Sequence, residues 1–160
     1  MHFYISTKMN RPLKVLHVAP ERLIRDLLLA DKKVEYQSVD IRPNMALTKA
    51  DLCDLPFRDD YFDIVICSHV LEHIKDDMKA MMEIYRVTKP GGEALVVVPM
   101  RRNEKTEENL EATPQERAKL FGSADHFRWY GQDFPDRIAK VGFKATMYGE
   151  LCLANKEEVF

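Results

Sequence analysis

A chain of 160 residues is long enough for one hydrophobic core and too short for two, so a single domain over 1–160 is expected. Its 46% hydrophobic and 31% charged content is ordinary globular usage, which excludes a disordered or fibrous chain. The 24 basic side chains stand against 26 acidic ones, and a net charge of -2 lacks the electrostatic footprint of a nucleic-acid binder.

The first apolar run, residues 14–19, lies between Pro12 and Pro20 and reads as a short strand. Pro20 then suits a first helical turn and Glu21 its positive end, while Leu23, Ile24, Leu27 and Leu28 recur at helical spacing. Residues 34–40 form the next strand candidate, ending in the carboxylate of Asp40, and a short third strand is expected at 48–51. Residues 62–68 are almost continuously apolar, as in a parallel strand covered on both faces. Asp76 and Asp77 can cap a helix whose stripe is Ile74, Met78, Met81, Met82 and Tyr85, with the three methionines packed in the core. Pro90 ends that helix, and Gly91-Gly92 turns the chain into a strand over 93–99. Between Arg101 and Lys119 lie ten charged side chains, which read as a solvated loop or as a lid over a ligand site. Residues 133–141 are expected to be helical, 143–148 extended, and 158–160 the start of a last strand. Strands alternating with helices indicate an α/β fold with a parallel sheet.

Cys53, Cys67 and Cys152 are odd in number and far apart. This argues against a disulfide framework or a structural zinc site and for reduced thiols in a cytoplasmic protein. No apolar run reaches the roughly 20 residues that span a bilayer, and the opening segment has no signal-peptide core, so no membrane partner is expected.

In an open α/β sheet the ligand lies beyond the carboxyl ends of the strands, near the point where strand order reverses. Asp40 follows Glu21 by 19 residues, close to the spacing of a carboxylate that accepts from two ribose hydroxyls, although an Asp at a strand end is more often a turn former or helix cap. None of the six glycines falls within residues 1–90, and Pro20 has no N–H. A pyrophosphate would find no backbone cradle there, which disfavours NAD, FAD and ATP. A nucleoside with an amino-acid tail, such as S-adenosylmethionine, needs only a helix N-terminus near its carboxylate and an acceptor for its ammonium. Glu21 could be that acceptor, or could simply favour the helix start.

The segments VLHVAPE (15–21), VDI (39–41), ADLCDLPF (50–57), FDIVICSHVLEHI (62–74) and YRVTKPGGEALVVVP (85–99) stand in one order. Over residues 13–99, and more weakly out to Phe160, the chain resembles the class I S-adenosylmethionine-dependent methyltransferases. Its LPF-to-KPGG portion is similar to the subfamily that acts on small molecules. The resemblance implies a Rossmann-like, doubly wound, mostly parallel sheet with an antiparallel C-terminal strand, and methyl transfer from S-adenosylmethionine to a small-molecule acceptor. It implies that Asp40 holds the ribose hydroxyls and Ile41 flanks the adenine. Asp51 would take the adenine amino group while the Leu52 N–H meets a ring nitrogen, and Ser68 and His69 would line the methionine end. Relatives usually carry an acidic residue at position 17 and glycines at 19, 21 and 23. Here stand His17, Ala19, Glu21 and Leu23, so the amino-acid end must be held differently. Helices usually precede the first strand in such domains, and with few residues there the pocket is expected to be partly uncovered. The implied layout is a core over 13–99, a lid or substrate segment over 100–132, and a C-terminal helix and strands over 133–160.

A hydroxyl or protonated-amine acceptor would need a general base. His69 and His73 stand four apart and would share a helix face with Glu72 pointing away; without an HExxH pattern, no metal is expected. In the stretch 125–131, an extended backbone would put His126, Arg128 and Tyr130 on one side, with Phe127 and Trp129 anchoring the other. Arg128 would suit a carboxylate or phosphate on the acceptor, an ordinary packed loop being the alternative. The catalytic candidates are therefore His69, His126, Arg128 and Tyr130. Two other readings stay open: a catalytically silent nucleoside- or partner-binding domain, and, more remotely, a nicotinamide-dependent reductase. An exposed last sheet edge could pair with a second copy.

Overall fold

The computed structural model describes residues 11–101, 105–149 and 151–157. Its frame is a seven-stranded sheet. In chain order come β1 (Leu13–Val18), α1 (Arg22–Ala30), β2 (Val34–Asp40), β3 (Thr48–Lys49) and β4 (Phe62–Ser68), then a 3-10 turn at Leu71–His73. There follow α2 (Asp77–Val87), β5 (Thr88–Val97), β6 (Glu107–Glu108), α3 (Pro114–Phe121), β7 (Arg128–Trp129), α4 (Phe134–Lys140), β8 (Lys144–Tyr148) and β9 (Leu151–Asn155). The sheet runs β3-β2-β1-β4-β5-β9-β8, parallel as far as β5 and antiparallel at β9 and β8. This is the doubly wound, mostly parallel arrangement expected. No helix among the described residues is long and apolar enough to cross a membrane.

Three expectations are corrected. The strand start expected at 158–160 lies outside the described residues, and the last described strand is β9, which runs antiparallel to β5. Gly149, at φ 65, opens the hairpin from β8 into it. The expected strand over 93–99 already starts pairing at Thr88 and carries a bulge at 90–92, because the register jumps between Phe62 and Ile64. A Cβ on Gly92 would sit 2.8 Å from the Lys89 carbonyl oxygen, so the bulge demands glycine there. Part of the charged stretch is helix α3, started by a capping box in which Thr113 and Glu116 satisfy each other's backbone N–H groups, with Pro114 in the first turn. Finally, two expected stripes are only partly inward. Leu28 alone is buried on α1, Leu23 and Leu27 are exposed, and Met82 faces solvent while Met81 is buried.

The C-terminal half is fastened to the sheet by buried charge. Asp77 is not a cap; Asp76 fills that role by accepting from the Lys79 N–H. Asp77 instead accepts from Arg137 Nη2 at 2.8 and 2.9 Å and from the Tyr130 hydroxyl at 2.8 Å. Arg128 lies 0% exposed beside it and donates to the carbonyls of Leu71, Ile74 and Lys75 and to Glu108. These contacts replace the expected roles of Arg128 and Tyr130 at an acceptor: both side chains are wholly enclosed, and their donors are taken by the chain itself. Burial and the adjacent Asp77 carboxylate raise the Tyr130 hydroxyl well above its ordinary range, so it stays protonated as a donor. Asp77→Ala would strand Arg137 and Arg128 without their shared carboxylate. It is expected to cost about 3–5 kcal/mol of unfolding free energy, measured by urea denaturation.

Candidate active site

Strand order reverses between β1 and β4: β2 and β3 continue to one side, β5 to the other. The residues that follow these two strands, Ala19 and His69, both have left-handed backbones, at φ 46 and φ 52. Neither is glycine, and strained residues of this kind concentrate at functional sites. Their N–H groups are held by the Val39 and Val97 carbonyls of the adjacent strands, at 2.8 and 2.9 Å. Pairing therefore fixes the strain in place.

Beside Ala19 opens a cleft enclosing about 530 Å³ of space, part of it open to solvent. Of the residues singled out from sequence, Ala19, Asp40, Ile41, Asp51 and Leu52 line it, joined by Val70, His73 and Ile74. Its size and mixed lining suit a nucleoside. The short β3 explains how two aspartates meet here: it pairs Asp40 with Lys49, and the Ala50 N–H donates to the Asp40 carbonyl, so Asp51 emerges next to the end of β2. Asp51 closes a turn by accepting from the Cys53 N–H at 2.8 Å.

Sequence reasoning missed Arg42. Asp40 is buried, yet its carboxylate is already engaged: Oδ1 accepts from the Arg42 N–H at 2.8 Å and from Nε at 3.1 Å, and Oδ2 accepts from Nη2 at 3.0 Å. The Arg42 side chain itself is 64% exposed. Its hydrogen bonds outweigh burial and hold the Asp40 carboxyl below the ordinary carboxylate range, so Asp40 is an anion ready to accept.

His17, Glu21 and Ser68, which do not line the cleft, form one group at the ends of β1 and β4. His17 is fully buried in β1, with Nε2 2.6 Å from Glu21 Oε2 and Nδ1 3.3 Å from the Tyr36 hydroxyl. Burial pushes the imidazole below its ordinary 6.5, against the opposing pull of Glu21. The neutral ring thus donates from Nε2 to Glu21 and accepts at Nδ1 from Tyr36. Glu21 loses some solvation at the helix start, which would raise its carboxyl, but hydrogen bonds with Ser68, its own N–H and His17 bring it below the ordinary range. Glu21 has no side-chain capping bond, so its carboxylate spans the mouths of β1 and β4.

His69 projects from the crest, 55% exposed, with Nδ1 3.4 Å from Glu72 Oε1. Glu72 does not point away from the histidines. The segment forms a 3-10 turn in place of the expected helical face, and residues three apart eclipse in that geometry. His126 lies elsewhere, edge-on to His73 with ring centroids 4.7 Å apart. His69 is thus exposed at the crest, whereas Arg128 and Tyr130 are fully buried.

Residues 21–96 match a family model described as a methyltransferase domain. That match takes in just under half of the chain, and the other likenesses are to methyltransferases as well. It is 46% identical over 54 residues to a demethylmenaquinone methyltransferase of Streptomyces avermitilis, covering 34% of this chain and 23% of that protein. To a protein of the same description from Paenarthrobacter aurescens it is 32% identical over 105 residues, covering 60% and 42%. The chain thus spans less than half the length of these relatives. Among solved structures, the YcgJ protein of Bacillus subtilis superposes with a TM-score of 0.67 at 22% identity, over 90% of this chain and 68% of that one. The [4+2]-cyclase SpnF superposes with a TM-score of 0.68 at 15% identity, over 91% and 57%. Such distant likeness speaks for the fold alone.

The buried His17 sets a pH dependence. Unfolded, it takes up a proton near 6.5; folded, burial holds it neutral, so the stability it supports is present above that pH and lost as pH falls below it. Glu21, whose folded carboxyl sits below 4.5, adds a second loss at lower pH, in the same direction. Urea unfolding is expected to show lower stability at about pH 5.5 than at about pH 7.5, and His17→Asn is expected to flatten that difference.

Proposed function

We propose that the cleft binds S-adenosylmethionine and that the chain directs its methyl group to a small-molecule acceptor. The observation that carries this reading is the pairing of Asp40 and Asp51 in one nucleoside-sized cleft at the strand-order reversal, with no glycine loop for a pyrophosphate. The donor set fits. Asp40 can accept from two vicinal hydroxyls once Arg42 lets go, and Ile41 offers an apolar face to a base. Asp51 accepts from an exocyclic amine while the Leu52 N–H faces a ring nitrogen. Glu21, between His17 and Ser68, supplies the acceptor for an ammonium that the glycine-free first loop otherwise lacks.

When bound, S-adenosylmethionine supplies a sulfonium-activated methyl carbon. This chain's own residues then have little covalent work to do. Holding both partners in line and excluding water provides most of the acceleration. His69, exposed at the crest and backed by the Glu72 carboxylate, is placed to take a proton from an acceptor hydroxyl or amine. The small-molecule class of the acceptor is supported by the relatives described as demethylmenaquinone methyltransferases.

Calorimetric titration with S-adenosylhomocysteine tests the reading. One saturable site is expected, weakened at least about tenfold in Asp40→Ala, because each hydrogen bond to a charged acceptor contributes ~1.5–3 kcal/mol. Absence of both heat and thermal shift with folded protein would overturn it. Arg42→Ala should act the other way, since Arg42 competes for Asp40. An exposed ion pair is weak and screened by water, so affinity should rise by no more than about fivefold.

A further inference from the structure

We propose that Glu72, His73 and His126 form a binding site for a divalent first-row metal ion of the zinc type, set in the wall between the cleft and the segment that follows α3. One ligand atom from each residue lies within 4.8 Å of the other two. Donors around a tetrahedral zinc with bonds of ~2.0–2.1 Å stand roughly 3.4 Å apart, so small side-chain rotations close the set.

Two independent features point to a ligand. Glu72 is 1% exposed, and while Oε1 faces His69, its Oε2 is buried with no hydrogen-bond partner. His126 Nδ1 is likewise buried without a partner. A buried carboxylate oxygen left without a donor or cation is unfavourable, and among the described residues none meets Glu72 Oε2. The third member is already oriented as a metal ligand: Asp125 Oδ2 lies 3.1 Å from His73 Nδ1, the carboxylate–histidine arrangement that fixes an imidazole and leaves Nε2 free.

The backbone holds the pieces in register. The Phe127 N–H donates to the Glu72 carbonyl at 2.8 Å, and the Arg128 guanidinium grips the carbonyls at Leu71, Ile74 and Lys75. Two imidazoles and one carboxylate select zinc-like ions over magnesium or calcium, which prefer all-oxygen shells, and three protein ligands leave a fourth position for water. His73 also lines the nucleoside cleft. The ion would brace that wall by joining the 3-10 turn to residue 126, and this bracing does not require methyl transfer.

The test is calorimetric titration of chelator-treated protein with zinc, together with thermal melting and the visible spectrum of the cobalt(II) form. The wild type is expected to bind one equivalent, melt at a higher temperature with zinc than without, and show no thiolate-to-cobalt absorption. Glu72→Gln and His126→Ala, checked for folding by circular dichroism, are expected to lose that equivalent. Asp125→Ala should weaken it about 10–100-fold. Asp40→Ala should retain it, which separates this site from the nucleoside reading. Absence of saturable binding in the wild type, undiminished binding in folded His126→Ala, or a thiolate band from the scattered cysteines would overturn the proposal.

Discussion

Parallel pairing of β1 on both of its edges is the constraint from which the site follows. Its register against β2 and β4 brings His17 opposite Ser38 and Ile66, and Val18 opposite Val39 and Cys67, so three chains reach the crest at one level. They cannot all turn the same way. The chain veers off at Ala19 and at His69 through left-handed backbones, and the space between the diverging exits is the cleft. The same burial makes His17 expensive unless both ring nitrogens are satisfied, and Glu21 and Tyr36 do that. The acidic side chain at the start of the first helix, Glu21, is thus a structural partner of a buried imidazole.

A second set of buried charges performs a different task. Asp77, Arg128, Tyr130 and Arg137 bind the segments beyond β5 to the start of α2, and three backbone carbonyls around the 3-10 turn end on one guanidinium. Polar groups that are candidates for chemistry by type alone are here fully used as fasteners. The side chains that carry the proposed chemistry, His69 at the crest and the Glu72–His73–His126 group in the wall, stand outside that network.

How much of this was legible in the sequence follows from range. The strands β1, β2 and β4, with Asp40 ending β2 and Asp51 just after β3, could be read because apolar runs and strand-end positions are local signals. The capping box at Thr113–Glu116 was equally local but lay among so many charges that it passed for loop, and Gly149 before an alternating LCLAN marked the hairpin into β9. Arg42 was hidden by proximity, since nothing in a sequence says that a side chain two residues on will fold back onto Asp40. Arg128 and Asp77 lie 51 positions apart and meet only through the tertiary fold. A buried arginine and a substrate-binding arginine look identical on paper. The orientation of Glu72 was misjudged because a helix was assumed where the chain makes a 3-10 turn, which moves a side chain to another face.

The Arg42–Asp40 contact gives the cleft an unusual relation to ionic strength. Most recognition by charged side chains weakens as salt is added, because the partners are screened from each other. Here the screened pair is internal and largely exposed on the arginine side, whereas the hydroxyls that would replace it are uncharged. Salt therefore loosens the latch, and under the proposed binding mode a more concentrated electrolyte would make Asp40 easier for ribose hydroxyls to reach.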